Sequence, residues 1–256
     1  MKGTSFMKNE NVIVVLAAGG NPTGIIFVEN AGGREEYASF AKEYMGSRPD
    51  VEQFGFIEGT SHFQMSGGEF CGNAARAAAL LISQKTGKTA GSFTMSGFDG
   101  TVNYLVLHPD TVTCTFTDLP ISSKPVMVEG KEATLVDLGG IVHVVLPESE
   151  KFRDDKEYYT TYHRKVTSEL NLGSRAAVGV VWQSLGENGS VSIDPVVWVR
   201  DIDSFFYETA CGSGTLAVLV ASQKTNVDIV QPTGQAIHSE KLSDTSYLLR
   251  STMGII

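Results

Sequence analysis

The sequence is poor in the residues that build disulfide scaffolds, metal sites and membrane spans. Its three cysteines, Cys71, Cys114 and Cys211, are odd in number and far apart. That argues against a secreted disulfide framework and for free thiols whose surroundings decide their reactivity. The five histidines (His62, His108, His143, His163 and His238) fall in no metal-ligand spacing with one another or with cysteine pairs, so no metal is expected. Basic residues are outnumbered, 20 Lys and Arg against 29 Asp and Glu, for a net charge of −9. Nothing here would draw a phosphate backbone, and a nucleic-acid partner is not expected. No run approaches the roughly 18 apolar residues of a membrane helix. The short apolar run from Val12 to Ala18 gives way to glycine and reads as a first strand, not as the core of a secretion leader. The expectation is a cytoplasmic globular protein with a small-molecule partner and no membrane association.

Cofactor signatures are missing too. Gly212-Ser213-Gly214-Thr215 lacks the lysine of a phosphate loop, no Gly-x-Gly-x-x-Gly follows a clear strand, and no local pattern marks a Schiff-base lysine for pyridoxal phosphate. No cofactor is therefore expected.

What the chain does contain is an internal echo. FCGNAARAAALLISQKT, from Phe70, is answered by CGSGTLAVLVASQKT, from Cys211. Both open on Cys-Gly, continue with a small polar residue, run apolar for two to three turns and close on Ser-Gln-Lys-Thr. Fainter likenesses flank them: Gly19-Gly20 before Ile25 to Val28 resembles Gly139-Gly140 before Val142 to Val145, and Phe54 to Ile57 resembles Val178 to Val181. So long a period implies a duplicated domain and not a solenoid. Strand-like β-branched runs at 12–16, 102–107, 112–116 and 191–199 alternate with glycine-rich turns, and helix-like runs fall at about 35–45, 73–84, 154–170 and 213–223. The fold class is α+β in two similar halves, residues 1–125 and 126–246, with a break near Pro120 to Gly130. Residues 247–256 are read as a strand able to rejoin the first half.

A cysteine at a helix entrance feels the positive end of the helix dipole and the unpaired N–H groups there, which favour the thiolate. The same groups can hold a carboxylate. Gly72 and Gly212 leave the backbone open to close approach, and Asn73, Ser213 and Thr215 are candidate caps. Two such entrances related by duplication can face each other across one cleft. A carboxylate held there has one sulfur on each side, which suits inversion of a stereocentre: one thiolate removes the α-proton while the opposite thiol donates another. The charge that develops is stabilised by the N–H groups. Cys71 and Cys211 are thus the candidate catalytic pair, and Cys114, alternating within Val112 to Phe116, is a core residue. A redox or ligand-binding module built on the same cysteines stays open as an alternative.

At these residues the chain resembles the diaminopimelate epimerase superfamily, with Cys71-Gly72-Asn73 and Glu208-Thr209-Ala210-Cys211-Gly212-Ser213-Gly214 as anchors. The resemblance covers most of the chain. It implies two pseudo-symmetric domains, each a barrel-like sheet around a central helix, and a cofactor-independent racemase or epimerase whose site lies in the cleft between them. It assigns substrate contacts to Asn21, Gln53, Gly72, Asn73, Gly212, Ser213 and Gly214, and a place near the thiols to His143, Ser66 and Glu208. Dimers are common in the superfamily, so a homodimer is expected. A phenazine-biosynthesis type isomerase is disfavoured because both cysteines are kept.

The departures bear on substrate. Diaminopimelate epimerases carry Glu-Arg-Gly before the second cysteine motif, and the arginine grips the distal carboxylate; this chain has Asp201 to Tyr207 there, Ala177 in place of an asparagine, and Gly140 where another is expected. A second carboxylate would be left unpaired, at a cost of several kcal/mol, which disfavours diaminopimelate. The chain instead resembles the histidine racemase branch, known from staphylopine-type metallophore biosynthesis and lactic acid bacteria. Asn21-Pro22-Thr23, Glu52-Gln53-Phe54-Gly55-Phe56 and Met65-Ser66-Gly67-Gly68-Glu69-Phe70-Cys71 carry the likeness. It points to Glu52 as the acidic partner of an imidazole, with Phe205, Phe206 or Tyr207 as flanking aromatics.

Overall fold

The computed structural model describes residues 7–29, 31–108, 110–186, 189–200 and 203–256. Its elements come in two matching series. The first is β1 (Ile13–Ala17), β2 (Gly20–Val28), α1 (Arg34–Ser47), β3 (Gln53–Glu58), β4 (His62–Met65), α2 (Gly72–Thr86), β5 (Ala90–Met95), β6 (Thr101–His108) and β7 (Thr111–Thr117). The second is β8 (Ser122–Val128), β9 (Lys131–Asp137), β10 (Val142–Val145), α3 (Lys156–Glu169), β11 (Ala177–Leu185), β12 (Val191–Val199), β13 (Ser204–Tyr207), α4 (Gly212–Ala221), β14 (Asn226–Val230), β15 (Ala236–Ser243) and β16 (Ser246–Ile255).

The pairings match as well. β1–β2 is antiparallel, β2–β3 parallel, β3–β4 antiparallel, β4–β5 parallel, and β5–β6–β7 antiparallel. The same succession of signs recurs along β9, β10, β11, β12, β14, β15 and β16, with β13 added at the side of β12. The fold is α+β with two pseudo-symmetric halves.

Each half borrows chain from the other to finish its sheet. β16 runs antiparallel to β7 and then onto β1, where Val15 faces Ile255 and Ala17 faces Met253. That closes an eight-stranded ring of β1 to β7 and β16. In the reciprocal crossing, β7 pairs with β16, the Leu119 N–H donates to the Thr245 carbonyl at 2.9 Å, and the chain goes on into β8, which borders β9.

An eight-stranded ring leaves an interior just wide enough for side chains. Here a helix occupies it. α2 packs against β1, β2, β4, β6, β7 and β16 and is buried from Gly72 to Ser83. A helix walled on every side has no solvent face, and its five alanines let the strands come close. α4 is buried in the same way over Gly212–Leu219, against β9, β10, β12, β14, β15 and β16. Gly87, left-handed at φ 71°, ends α2 and returns its N–H to the Ser83 carbonyl.

α1 and α3 lie outside. Tyr37 and Tyr44 of α1 cover Phe54 and Phe56, while Tyr159, Tyr162 and Val166 of α3 cover Trp182 and Val180. α3 starts at Lys156, two residues after the expected limit, because Asp155 caps it, accepting from the Tyr158 N–H at 2.9 Å. The other helices begin and end within a few residues of their expected limits. His62 opens β4 and His108 ends β6. Among the described residues no helix is long and apolar enough to cross a membrane.

Candidate active site

The two buried helices meet end to end. A Cβ built on Gly72 would stand 3.5 Å from the carbonyl carbon of Gly212, and one on Gly212 would stand 3.2 Å from the Asn73 nitrogen. Glycine after each cysteine therefore does more than open the backbone to a ligand, because it lets the two entrances abut.

The capping differs from expectation. Cys71 and Cys211 are themselves the N-caps, in extended conformation, their Sγ atoms accepting from the N–H groups of Ala74 at 3.4 Å and Gly214 at 3.2 Å. In each case the cysteine, three residues before that N–H, leaves no room for the expected caps. Asn73 is freed to donate from Nδ2 to the Ala210 carbonyl at 2.8 Å, across to the other half. Thr215 bonds back to the Cys211 carbonyl at 2.7 Å. Ser213 Oγ stands 3.5 Å from Cys211 Sγ and 2.9 Å from His143 Nε2, so His143 reaches the thiol through the serine.

On the Cys71 side a hydrogen-bonded chain leads outward. Cys71 Sγ donates to Gln53 Oε1 at 3.2 Å, Gln53 Nε2 donates to Asn21 Oδ1 and to Thr23 Oγ1, and Asn21 Nδ2 donates to Glu52 at 3.1 Å. Parallel pairing of β2 with β3 sets Thr23 beside Gln53 and so builds the chain. Asn21 holds a left-handed backbone at φ 50°, a conformation that asparagine tolerates at some cost. It is held there by the second half: the Asn21 N–H donates to Thr209 Oγ1 at 2.9 Å, and Thr233 Oγ1 donates to the Ala18 carbonyl at 2.7 Å.

Burial dominates the electrostatics. The helix entrance was expected to bring the thiols toward neutrality. Instead desolvation pushes Cys71 up to about 12 and Cys211 well above its usual range, with the nearby Glu208 carboxylate adding to both. The N–H bonds to sulfur act in the opposite sense but are the smaller effect. Desolvation likewise raises Glu52 to about 7, against the stabilising bond from Asn21, and Glu208 to about 8, helped by the neighbouring Glu52 and Glu69. His143 is driven down to about 3 by burial and by His163, so it is a neutral imidazole.

Other expected residues fall where topology puts them. Ser66 follows β4, its N–H on the Phe54 carbonyl. Phe205 and Tyr207 do not flank this site: they pack with the α3 cluster, Phe205 edge-on to His163 and Tyr207 stacked on Phe152. Alternation turns Phe206 to the opposite face. Asp201 and Ile202, where the epimerase arginine would be, lie outside the described residues. Cys114 is fully buried in β7. Among the described residues no group of His, Cys, Asp and Glu is arranged to hold a metal.

Four residues carry more of the site than their sequence context suggested. Gln231 Oε1 accepts from the Cys211 N–H at 2.8 Å. Thr209 holds Asn21, and Glu69 adds charge beside Cys71. Arg76 is fully buried within α2. Its signal was available: it is the one charged residue in an otherwise apolar run, NAARAAALLI.

The family model described as the histidine racemase CntK N-terminal domain matches residues 19–247. The chain belongs to the histidine racemase family. A histidine racemase of Fusobacterium nucleatum subsp. nucleatum is 30% identical over 197 residues, 72% of each chain. One of Staphylococcus aureus is 25% identical over 248 residues, 86% of each. The solved hydroxyproline epimerase of Agrobacterium vitis, with bound trans-4-hydroxy-L-proline, shares the fold at a TM-score of 0.62 and 12% identity, covering 96% of this chain and 91% of that one. This protein is accordingly an isomerase of the amino-acid racemase and epimerase class.

Proposed function

We propose that the protein interconverts L- and D-histidine by a two-base mechanism, without a cofactor, at Cys71 and Cys211. The observation that carries this reading is the meeting of two helix entrances, each capped by the sulfur of its own cysteine. The first-turn N–H groups of Gly72 and Asn73, and of Gly212 and Ser213, have no acceptor within their helices and suit the α-carboxylate. As one thiolate takes the α-proton, the Cα–H bond breaks and an S–H bond forms. The electron pair spreads into the carboxylate, whose growing charge the N–H groups stabilise. The opposite thiol then gives its proton to the other face of Cα. The product has the inverted centre, and the sulfurs have exchanged roles.

Histidine as substrate is supported by the family and by the acidic lining. Glu52, joined to Cys71 through Asn21 and Gln53, is the partner for the imidazole. The test is purified enzyme with L-histidine in D2O, following optical activity and α-deuterium. Racemisation with exchange, lost in both Cys71→Ser and Cys211→Ser, is the expected result. Absence of exchange with every common amino acid overturns the reading.

A further inference from the structure

One amide brackets Cys211. Gln231, the first residue after β14, is buried, and its Oε1 accepts from the Cys211 N–H at 2.8 Å. Its Nε2 donates to Thr215 Oγ1 at 3.1 Å and to the Ile229 carbonyl at 3.0 Å. Thr215 Oγ1 in turn donates to the Cys211 carbonyl at 2.7 Å. The peptide groups on both sides of Cys211 are therefore tied to one side chain, directly at the N–H and through a hydroxyl at the carbonyl. An N–H at one end and a carbonyl at the other leave the amide one orientation. Gln231 is held in its own turn as well: its N–H donates to the Gln235 carbonyl and its carbonyl accepts from the Gly234 N–H, both at 2.8 Å.

The first half lacks this ring. Ser96, the first residue after β5, stands where Gln231 stands after β14, and its hydroxyl donates to the Glu69 carbonyl at 3.3 Å, two residues short of the cysteine. Ala75, placed four residues after Cys71 as Thr215 is after Cys211, has no hydroxyl to return. Cys71 is held through its thiol, by Gln53, and is half-buried where Cys211 is buried. We propose that Gln231 is a positioning residue that makes Cys211 the fixed sulfur of the pair and leaves Cys71 the one that adjusts as substrate enters. This rests on the two-base reading above. Proton transfer needs each sulfur in line with Cα, and a misplacement of about 1 Å can cost about a hundredfold in rate. One fixed sulfur sets where Cα must sit, and the other then closes on the opposite face. The amide carries no charge, so it holds the backbone without altering the charge around the thiols.

The test is alkylation of the substrate-free enzyme by iodoacetamide at fixed pH, the rate at each cysteine read by peptide mass spectrometry, alongside steady-state racemisation of histidine. Wild type is compared with Gln231→Met, Thr215→Ala and Thr215→Ser, and fold is checked by circular dichroism. Wild type is expected to react at Cys71 about tenfold faster than at Cys211 or more, and Gln231→Met and Thr215→Ala to raise the Cys211 rate by about tenfold with Cys71 unchanged, as loss of one buried hydrogen bond eases local opening. Thr215→Ser, which keeps the hydroxyl, retains the protection. In Gln231→Met kcat is expected to fall about tenfold with KM within about twofold, the pattern for alignment felt in the transition state. Equal alkylation of the two sulfurs in wild type overturns the proposal even if neither Gln231→Met nor Thr215→Ala folds. So does a folded Gln231→Met whose Cys211 reacts as in wild type, one whose two cysteines speed up together, or one with Cys211 freed and kcat unchanged. Alkylation uses no substrate, so inactivity toward histidine leaves the fixed sulfur standing, while an active racemase with Cys211 indifferent to Gln231 sinks Gln231 alone.

Discussion

Asn73 Nδ2 donates to the carbonyl of Ala210 at 2.8 Å, joining the entrance of one buried helix to the residue before the other half's cysteine. The bond is fully enclosed, and the Oδ1 of the same side chain accepts from Arg76. One asparagine thereby holds the two entrances in register.

Replacing Asn73 with alanine leaves the Ala210 carbonyl and an Arg76 N–H without partners. A loss of about 1–3 kcal/mol in stability per orphaned group is expected, together with at least a tenfold fall in kcat/KM as the sulfurs lose alignment. Denaturant midpoints and racemisation rates check this; an unchanged kcat/KM in the folded variant would show that the bridge does not align them.

Glu52 is raised from 4.5 to about 7 by burial. The native state therefore binds this proton more tightly than the unfolded chain does. Its contribution to stability is fully present below about pH 4.5 and is lost as pH rises through 7. Urea midpoints of the substrate-free enzyme are expected to fall across that window, and Glu52→Gln is expected to flatten the fall. Pairing needs an ionised Glu52 and a protonated imidazole, which titrates at about 6.5 when free, so KM for histidine is expected to pass through a minimum at about pH 7 in wild type but not in Glu52→Gln.

Gly179 sits against His143: a Cβ there would lie 2.1 Å from Nδ1. Gly179→Ala must push the ring away and break its 2.9 Å contact with Ser213. The expected cost is about 1–3 kcal/mol of stability from overpacking, with a lower kcat. Thermal unfolding and steady-state rates test it, and wild-type values in both would mean that the ring has slack.

Ser213→Ala removes the link between Cys211 and the neutral His143. A loss of roughly a hundredfold in kcat/KM is expected, at the low end of the range for a group that assists proton transfer. Because the enantiomers are equal in free energy, the loss must be the same from L and from D. A rate equal to wild type would dismiss the serine as a relay.

The repeat and the two cysteine-headed helices were legible because duplication writes the same local pattern twice. Cys-Gly followed by an alanine-rich run marks a helix entrance wherever it occurs. The outer aromatics were not legible. Phe205 and Tyr207 carry the same alternation whether they face a ligand or α3, and only the position of α3 decides between the two. The caps were misjudged for a related reason: Asn73, Ser213 and Thr215 are good caps locally, but a sulfur three residues before the N–H already occupied that role.

The sequence by itself determined the duplicated α+β fold, the paired cysteines and the family, since each is written in local spacing or in close resemblance. Tertiary structure decided what surrounds the sulfurs. The contact of Asn73 with Ala210 spans 137 positions and that of Arg76 with Ser251 spans 175. Burial, which raises the thiols and both glutamates, depends on strands from the whole chain wrapping two helices. Desolvation comes from all neighbours at once, and those neighbours are drawn from both halves of the chain.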